Sequence, residues 1–95
     1  MDTPLPAIAP DLATMARGLF DALRAAHFDG TGITRETYGG GETAAMRRVE
    51  AIAREAGLDC AWDAAANLRI TLAGTDPSLP ASACGSHLDS VPQGG

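Results

Sequence analysis

The chain has 95 residues, 45% of them hydrophobic and only 4% aromatic, and 12 Asp and Glu against 7 basic residues leave a net charge of −5. This fits one small globular unit with a marginal core, since a chain of this length buries only about two thirds of its unfolded surface. There is no basic face for a phosphate backbone and no apolar run near the roughly 18 residues of a membrane span, so neither nucleic acid nor membrane is an expected partner.

Residues 1–10 carry three prolines and no hydrophobic period, and read as a flexible lead-in; 11–95 read as the folded portion. The opening MDTPLPAIAPD is acidic and proline-broken, unlike a signal peptide. Asp11 is placed to cap a helix over 11–27, in which Leu12, Met15, Ala16, Leu19, Phe20 and Leu23 share one face, and Gly30 and Gly32 stop it. GITRETYGGGE follows as a loop, with Arg35 expected to be a solvated charge. Gly39–Gly41 lack the Lys and Ser/Thr of a phosphate-binding loop and read as a flexible connection. A second helix is predicted over 42–56, with Ala45, Met46, Val49, Ile52, Ala53 and Ala56 on one face and Gly57 closing it.

The period then shortens to two. LDCAWDA (58–64) and NLRITLAG (67–74) read as strands around a turn near Ala65–Asn67, and after the polar TDPSLP a third short strand is expected over 81–85. Two helices followed by three short strands imply an α/β or α+β domain. Cys60 and Cys84 are not in a C-x-x-C spacing, read as small buried hydrophobes, and suit a reducing, cytoplasmic setting.

The chemistry gathers in GSHLDSVPQGG, residues 85–95. Histidine is the commonest zinc ligand, and a ligand imidazole usually gives its second N–H to a carboxylate or carbonyl. In extended backbone His87 and Asp89 point to the same side, which makes H-x-D a sensible ligand with its supporting carboxylate. Taken alone the triplet is weak, and a polar pair near a strand end, with Asp89 capping a turn, explains it better. His27, ending the first helix, fits a residue favoured by the helix dipole better than a ligand.

The longer string is more specific. GSHLDSVPQGG, together with GITRETYGG, AREAGL, DAAANLR and AGTDPSLP in the same order, resembles the hydantoinase/carbamoylase branch of the zinc-dependent aminoacylase/carboxypeptidase superfamily, over about residues 30–95. That branch includes N-carbamoyl-L-amino-acid amidohydrolases, allantoate amidohydrolases and β-ureidopropionase-like enzymes. The resemblance implies that the chain is the N-terminal part of a zinc-exopeptidase-like catalytic domain, cut before the second metal-ligand motif. It implies that His87 is a ligand of a centre of two divalent ions (zinc, manganese or cobalt) and that Asp89 supports it. It further implies metal-dependent hydrolysis of a linear C–N bond in a carbamoyl or ureido substrate, a homodimer at full length, and no turnover by these 95 residues alone. Ser90, Gln93 and Ala66 depart from the pattern, the family often having Thr, Asn and Gly there. Two alternatives stand beside this reading: a metallopeptidase or N-acyl-amino-acid hydrolase of the same superfamily, and a non-catalytic remnant or interaction module.

Overall fold

A computed structural model describes residues 10–94. The element order is α1 (Pro10–His27), α2 (Gly40–Glu55), β1 (Asp59–Trp62) and β2 (Leu68–Thr71), a mixed α/β arrangement in which the two strands form one antiparallel hairpin. The flexible lead-in expected over 1–10 lies, but for Pro10, outside the described residues.

Pro10 opens α1, one residue before the expected start; a first-turn proline lacks an N–H that would have no helical partner anyway. The helical period is as expected, but its apolar stripe is poorly covered. Leu23 is buried, whereas Leu12, Met15 and Phe20 are exposed. Two residues before the expected boundary, Gly40 begins α2 behind the extended N-cap residue Gly39. Gly39 has no capping side chain and its N–H donates to the Glu36 carbonyl at 2.9 Å, while the Glu42 carboxylate in the first turn accepts the N–H of Tyr38, one residue before the cap. The expected flexible glycine connection is thus largely the first turn of α2. Gly41 has a packing reason to be glycine: a Cβ there would lie 2.8 Å from Nε2 of His27.

The far end of α2 closes as a Schellman motif. Gly57, at φ 83°, donates to the Arg54 carbonyl at 2.9 Å, and Leu58 donates to the Ala53 carbonyl at 2.9 Å. Ala45 and Ala53 are buried on the inner face of α2, and Glu50 is buried with them. Its carboxylate accepts from the Trp62 indole N–H at 2.9 Å, from Arg47 at 2.9 Å and from Arg54 at 3.2 Å. The indole bond first, then Arg47, holds the Glu50 carboxyl below its ordinary range. Arg47 also stacks over the Trp62 ring at 4.5 Å, so one polar cluster fastens the hairpin to α2.

In the hairpin, Asp59 pairs with Thr71 and Trp62 with Leu68. The Asp63 carboxylate gathers the turn, accepting the backbone N–H groups of Ala65 and Asn67 and the Asn67 amide, each at 2.9 Å. Ala66 is thereby held at φ 65°, a left-handed conformation that is costly for any residue with a Cβ. Ala66→Gly should therefore raise stability by about 1 kcal/mol, even after the entropy glycine adds to the unfolded chain. Urea unfolding of the two proteins checks this, and a lower midpoint for the glycine variant would contradict it.

The third strand is corrected. Residues 81–85 are exposed and pair with no strand among the described residues, and Cys84, expected to be buried there, is exposed. A strand exists only against a partner, and Ala-Ser-Ala-Cys-Gly has too little apolar surface to hold one by packing. For the same lack of cover β2 stops at Thr71, leaving Leu72 81% exposed, and Cys60 is only half-buried. No helix among the described residues is long and apolar enough to cross a membrane.

Candidate functional site

The two most motif-like stretches of the sequence, GITRET and HLDSVPQG, lie against each other. The first is shaped by Asp29, whose carboxylate accepts the N–H groups of Thr31 and Gly32 at 2.9 Å each and the hydroxyl of Thr34. Those bonds, Gly32 first, lower the Asp29 carboxyl from its usual range. Ile33 then exchanges both backbone hydrogen bonds with Gly94, each at 2.8 Å. The Ser90 hydroxyl accepts the Arg35 N–H at 3.0 Å and donates to the Ile33 carbonyl at 3.0 Å, while the Ser90 N–H donates to the Arg35 carbonyl at 2.8 Å. Gln93 adds a bond from its N–H to the Thr34 hydroxyl at 3.1 Å. The backbones approach so closely that a Cβ on Gly32 would fall 2.5 Å from the Gly94 oxygen.

Asp89 and His87 project from this clasp. One Asp89 oxygen accepts the Thr37 hydroxyl, and the other lies 2.9 Å from His87 Nδ1, which is also 3.0 Å from the Asp89 backbone oxygen. Carboxylate and carbonyl can only accept, so Nδ1 carries the proton in the neutral ring and Nε2 keeps its lone pair. The His87 side chain is 77% exposed, leaving that lone pair open to a ligand. The Thr37 hydroxyl first, and His87 after it, pull the Asp89 carboxyl below its ordinary range, which keeps it anionic. The two residues meet as the i, i+2 spacing predicts, although the segment is a clasped loop and not a strand.

Arg35 is not the solvated charge the loop composition implies; it is 7% exposed. Its Nε donates to His27 Nδ1 at 3.1 Å, one terminal nitrogen to the Leu88 carbonyl at 2.6 Å and the other to the Leu23 carbonyl at 3.0 Å. No carboxylate pairs with it among the described residues. The buried charge is met by carbonyls, one of them in the last turn of α1, where the helix dipole favours a cation. His27 is therefore an acceptor at Nδ1 and, when neutral, carries its proton on Nε2, the opposite tautomer to His87. Its place at the α1 terminus is as expected, but its role as the acceptor for Arg35 was not legible, and neither were those of Thr37, Arg35 and Ser90. Their only sequence signal is membership of the two quoted motifs.

No three His, Cys, Asp or Glu side chains converge among the described residues. The chemistry on hand is one exposed imidazole nitrogen of fixed tautomer, backed by an anionic carboxylate and mounted on a hydrogen-bonded clasp. That donor set fits one ligand of a metal centre and its support, and falls short of the three or four protein ligands that zinc requires.

Part of the chain is similar to known proteins. The N-carbamoyl-L-amino-acid amidohydrolase of Paenarthrobacter aurescens is 45% identical over 67 residues, covering 70% of this chain and 16% of that protein. The ureidoglycolate hydrolase of Arabidopsis thaliana is 38% identical over 63 residues, covering 66% of this chain and 13% of that protein. These two similarities support a fragment of the carbamoylase/amidohydrolase family. The chain spans less than a fifth of the length of either relative. No family model matches it, and no solved structure does.

Proposed function

We propose that these residues form the N-terminal part of a zinc-exopeptidase-like catalytic domain in a cytoplasmic, metal-dependent amidohydrolase acting on the C–N bond of a carbamoyl or ureido compound. The supporting observation is the His87–Asp89 pair: Nδ1 tied to the Asp89 carboxylate and backbone, Nε2 free and exposed. The names of the two relatives favour a carbamoyl or ureido substrate over a peptide. In this reading His87 holds one of two divalent ions (zinc, manganese or cobalt) through Nε2, and Asp89 fixes its tautomer and strengthens its donor power. The bound ions supply Lewis acidity to the scissile carbonyl. The remaining ligands, the general base and the dimer contacts come from outside the described residues, and the 95-residue chain by itself turns over no substrate.

Metal titration tests the assignment of His87. With exposed Cys84 replaced (Cys84→Ser) to remove a competing thiolate, zinc chloride should shift the imidazole ¹⁵N resonances of His87 in fast exchange, as expected of weak binding, and leave those of His27 in place. His87→Ala should abolish the response. A response centred on His27, or one that survives His87→Ala, would remove His87 from the metal site.

A further inference from the structure

We infer that Arg35 is the positioning residue of the His87–Asp89 pair, an inference that rests on the reading of His87 as a metal ligand. Asp89 is bracketed by two residues, and Arg35 holds both. Its guanidinium takes the Leu88 carbonyl at 2.6 Å, and its own peptide exchanges hydrogen bonds with Ser90, accepting the Ser90 N–H at 2.8 Å and donating to the Ser90 hydroxyl at 3.0 Å. The same guanidinium is anchored behind by Leu23 and His27 at the end of α1. One buried side chain thus spans from a helix terminus to the peptide joining the two site residues, with Thr37, two positions further on, holding the Asp89 carboxylate.

That placement decides which His87 nitrogen faces outward. Nδ1 is drawn to two acceptors of Asp89, the backbone oxygen and the carboxylate, and both keep their places only while the 88–90 backbone is fixed. A loose loop would let the ring adopt the Nε2–H tautomer that free imidazole side chains favour, which offers no lone pair at Nε2. Arg35 touches neither ring nor ligand. Within the 88–90 segment its side chain acts through the Leu88 carbonyl alone, the Ser90 bonds being made by its own backbone, and its planar fork reaches three acceptors in three directions, which a lysine ammonium on a single stem does not reproduce.

Arg35→Lys tests this, since it keeps the charge and loses the fork. In the parent, His87 should show the Nδ1–H pattern in imidazole ¹⁵N spectra and His27 the Nε2–H pattern. In Arg35→Lys the Trp62 indole N–H, seated on Glu50 away from the clasp, should stay where it is. His87 should move to a mixed-tautomer average, and the midpoint of its zinc response should rise about tenfold or more, the effect usual for a residue that orients a ligand. An unchanged His87 pattern, or a Trp62 signal lost together with it, would overturn the inference and leave Arg35 a structural residue only. A measurement on the parent chain does not depend on how the variant folds: the Arg35 guanidinium N–H signals should exchange slowly and shift with His87 when zinc is added. Fast-exchanging signals that ignore zinc bound at His87 would count equally against it. The tautomer readout needs no metal, so the two readings fail separately. If zinc never reaches His87 but its tautomer follows Arg35, the metal assignment falls and the positioning stands; if zinc binds His87 equally in parent and variant, the reverse holds.

Discussion

Gly32→Ala should open the clasp and cost about 3 kcal/mol, a large share of the stability of so small a chain. The new Cβ would lie 2.5 Å from the Gly94 oxygen, 2.6 Å from the Gln93 oxygen and 2.7 Å from the Gln93 carbonyl carbon. All three are backbone atoms, so no side chain can swing away to relieve the overlap. Either the two segments part, losing the paired Ile33–Gly94 bonds and the Gln93–Thr34 bond, or the turn held by Asp29 distorts. Gly30→Ala is the matched control: Gly30 sits at φ 100° with nothing within 4 Å of a Cβ, so its cost is backbone strain alone, about 1 kcal/mol. Urea unfolding should rank parent, Gly30→Ala and Gly32→Ala in falling order, and the Ile33 and Gly94 amides should lose protection from hydrogen exchange in Gly32→Ala alone. Full protection of those amides in Gly32→Ala would mean that the close approach does not hold the clasp.

What could be read from the sequence was local, and what could not was made by distant partners. The 3.6-residue period found both helices and put Leu23, Ala45 and Ala53 on their inner faces, because helical hydrogen bonds and side-chain faces are set within one or two turns. Gly57 marked the end of α2 for the same reason, the Schellman bonds spanning only 53–58. The expected start of α2 fell two residues late because Gly40 and Gly41 are poor helix formers by composition; that Gly41 lies close against His27 is a contact no window over 39–41 can contain. Arg35 read as a solvated charge because loops of its composition lie on surfaces, yet its partners stand 8, 12 and 53 positions away. The segment 81–85 is the converse case: its composition allows a strand, but the partner that would make it one is not among the described residues. At the site, local spacing brought His87 to Asp89, whereas the Thr37 bond that lowers the Asp89 carboxyl crosses 52 positions.

Asp89→Ala should weaken the zinc response of His87 by about tenfold or more without releasing the ring completely. The substitution removes the anionic acceptor at 2.9 Å and the oxygen that accepts the Thr37 hydroxyl, but leaves the residue-89 backbone oxygen, 3.0 Å from Nδ1, in place. His87 should therefore keep a reduced excess of the Nδ1–H tautomer, where Arg35→Lys disturbs both acceptors together. Asp89→Asn separates charge from geometry: the amide oxygen still accepts from Nδ1, so the tautomer should hold while the zinc response falls, because a neutral acceptor lends the imidazole less donor power. Acidification gives a second handle. The Asp89 carboxyl is lowered in the folded chain, so its contribution is complete above the ordinary carboxylate value of 3.8 and is lost only as pH falls through the lower, folded value. In the parent chain the His87 environment should therefore change as the pH falls below the ordinary carboxylate range. That low-pH step should be absent in Asp89→Ala and Asp89→Asn. An Asp89→Ala chain with the zinc midpoint and low-pH step of the parent would show that the carboxylate sits beside His87 without supporting it.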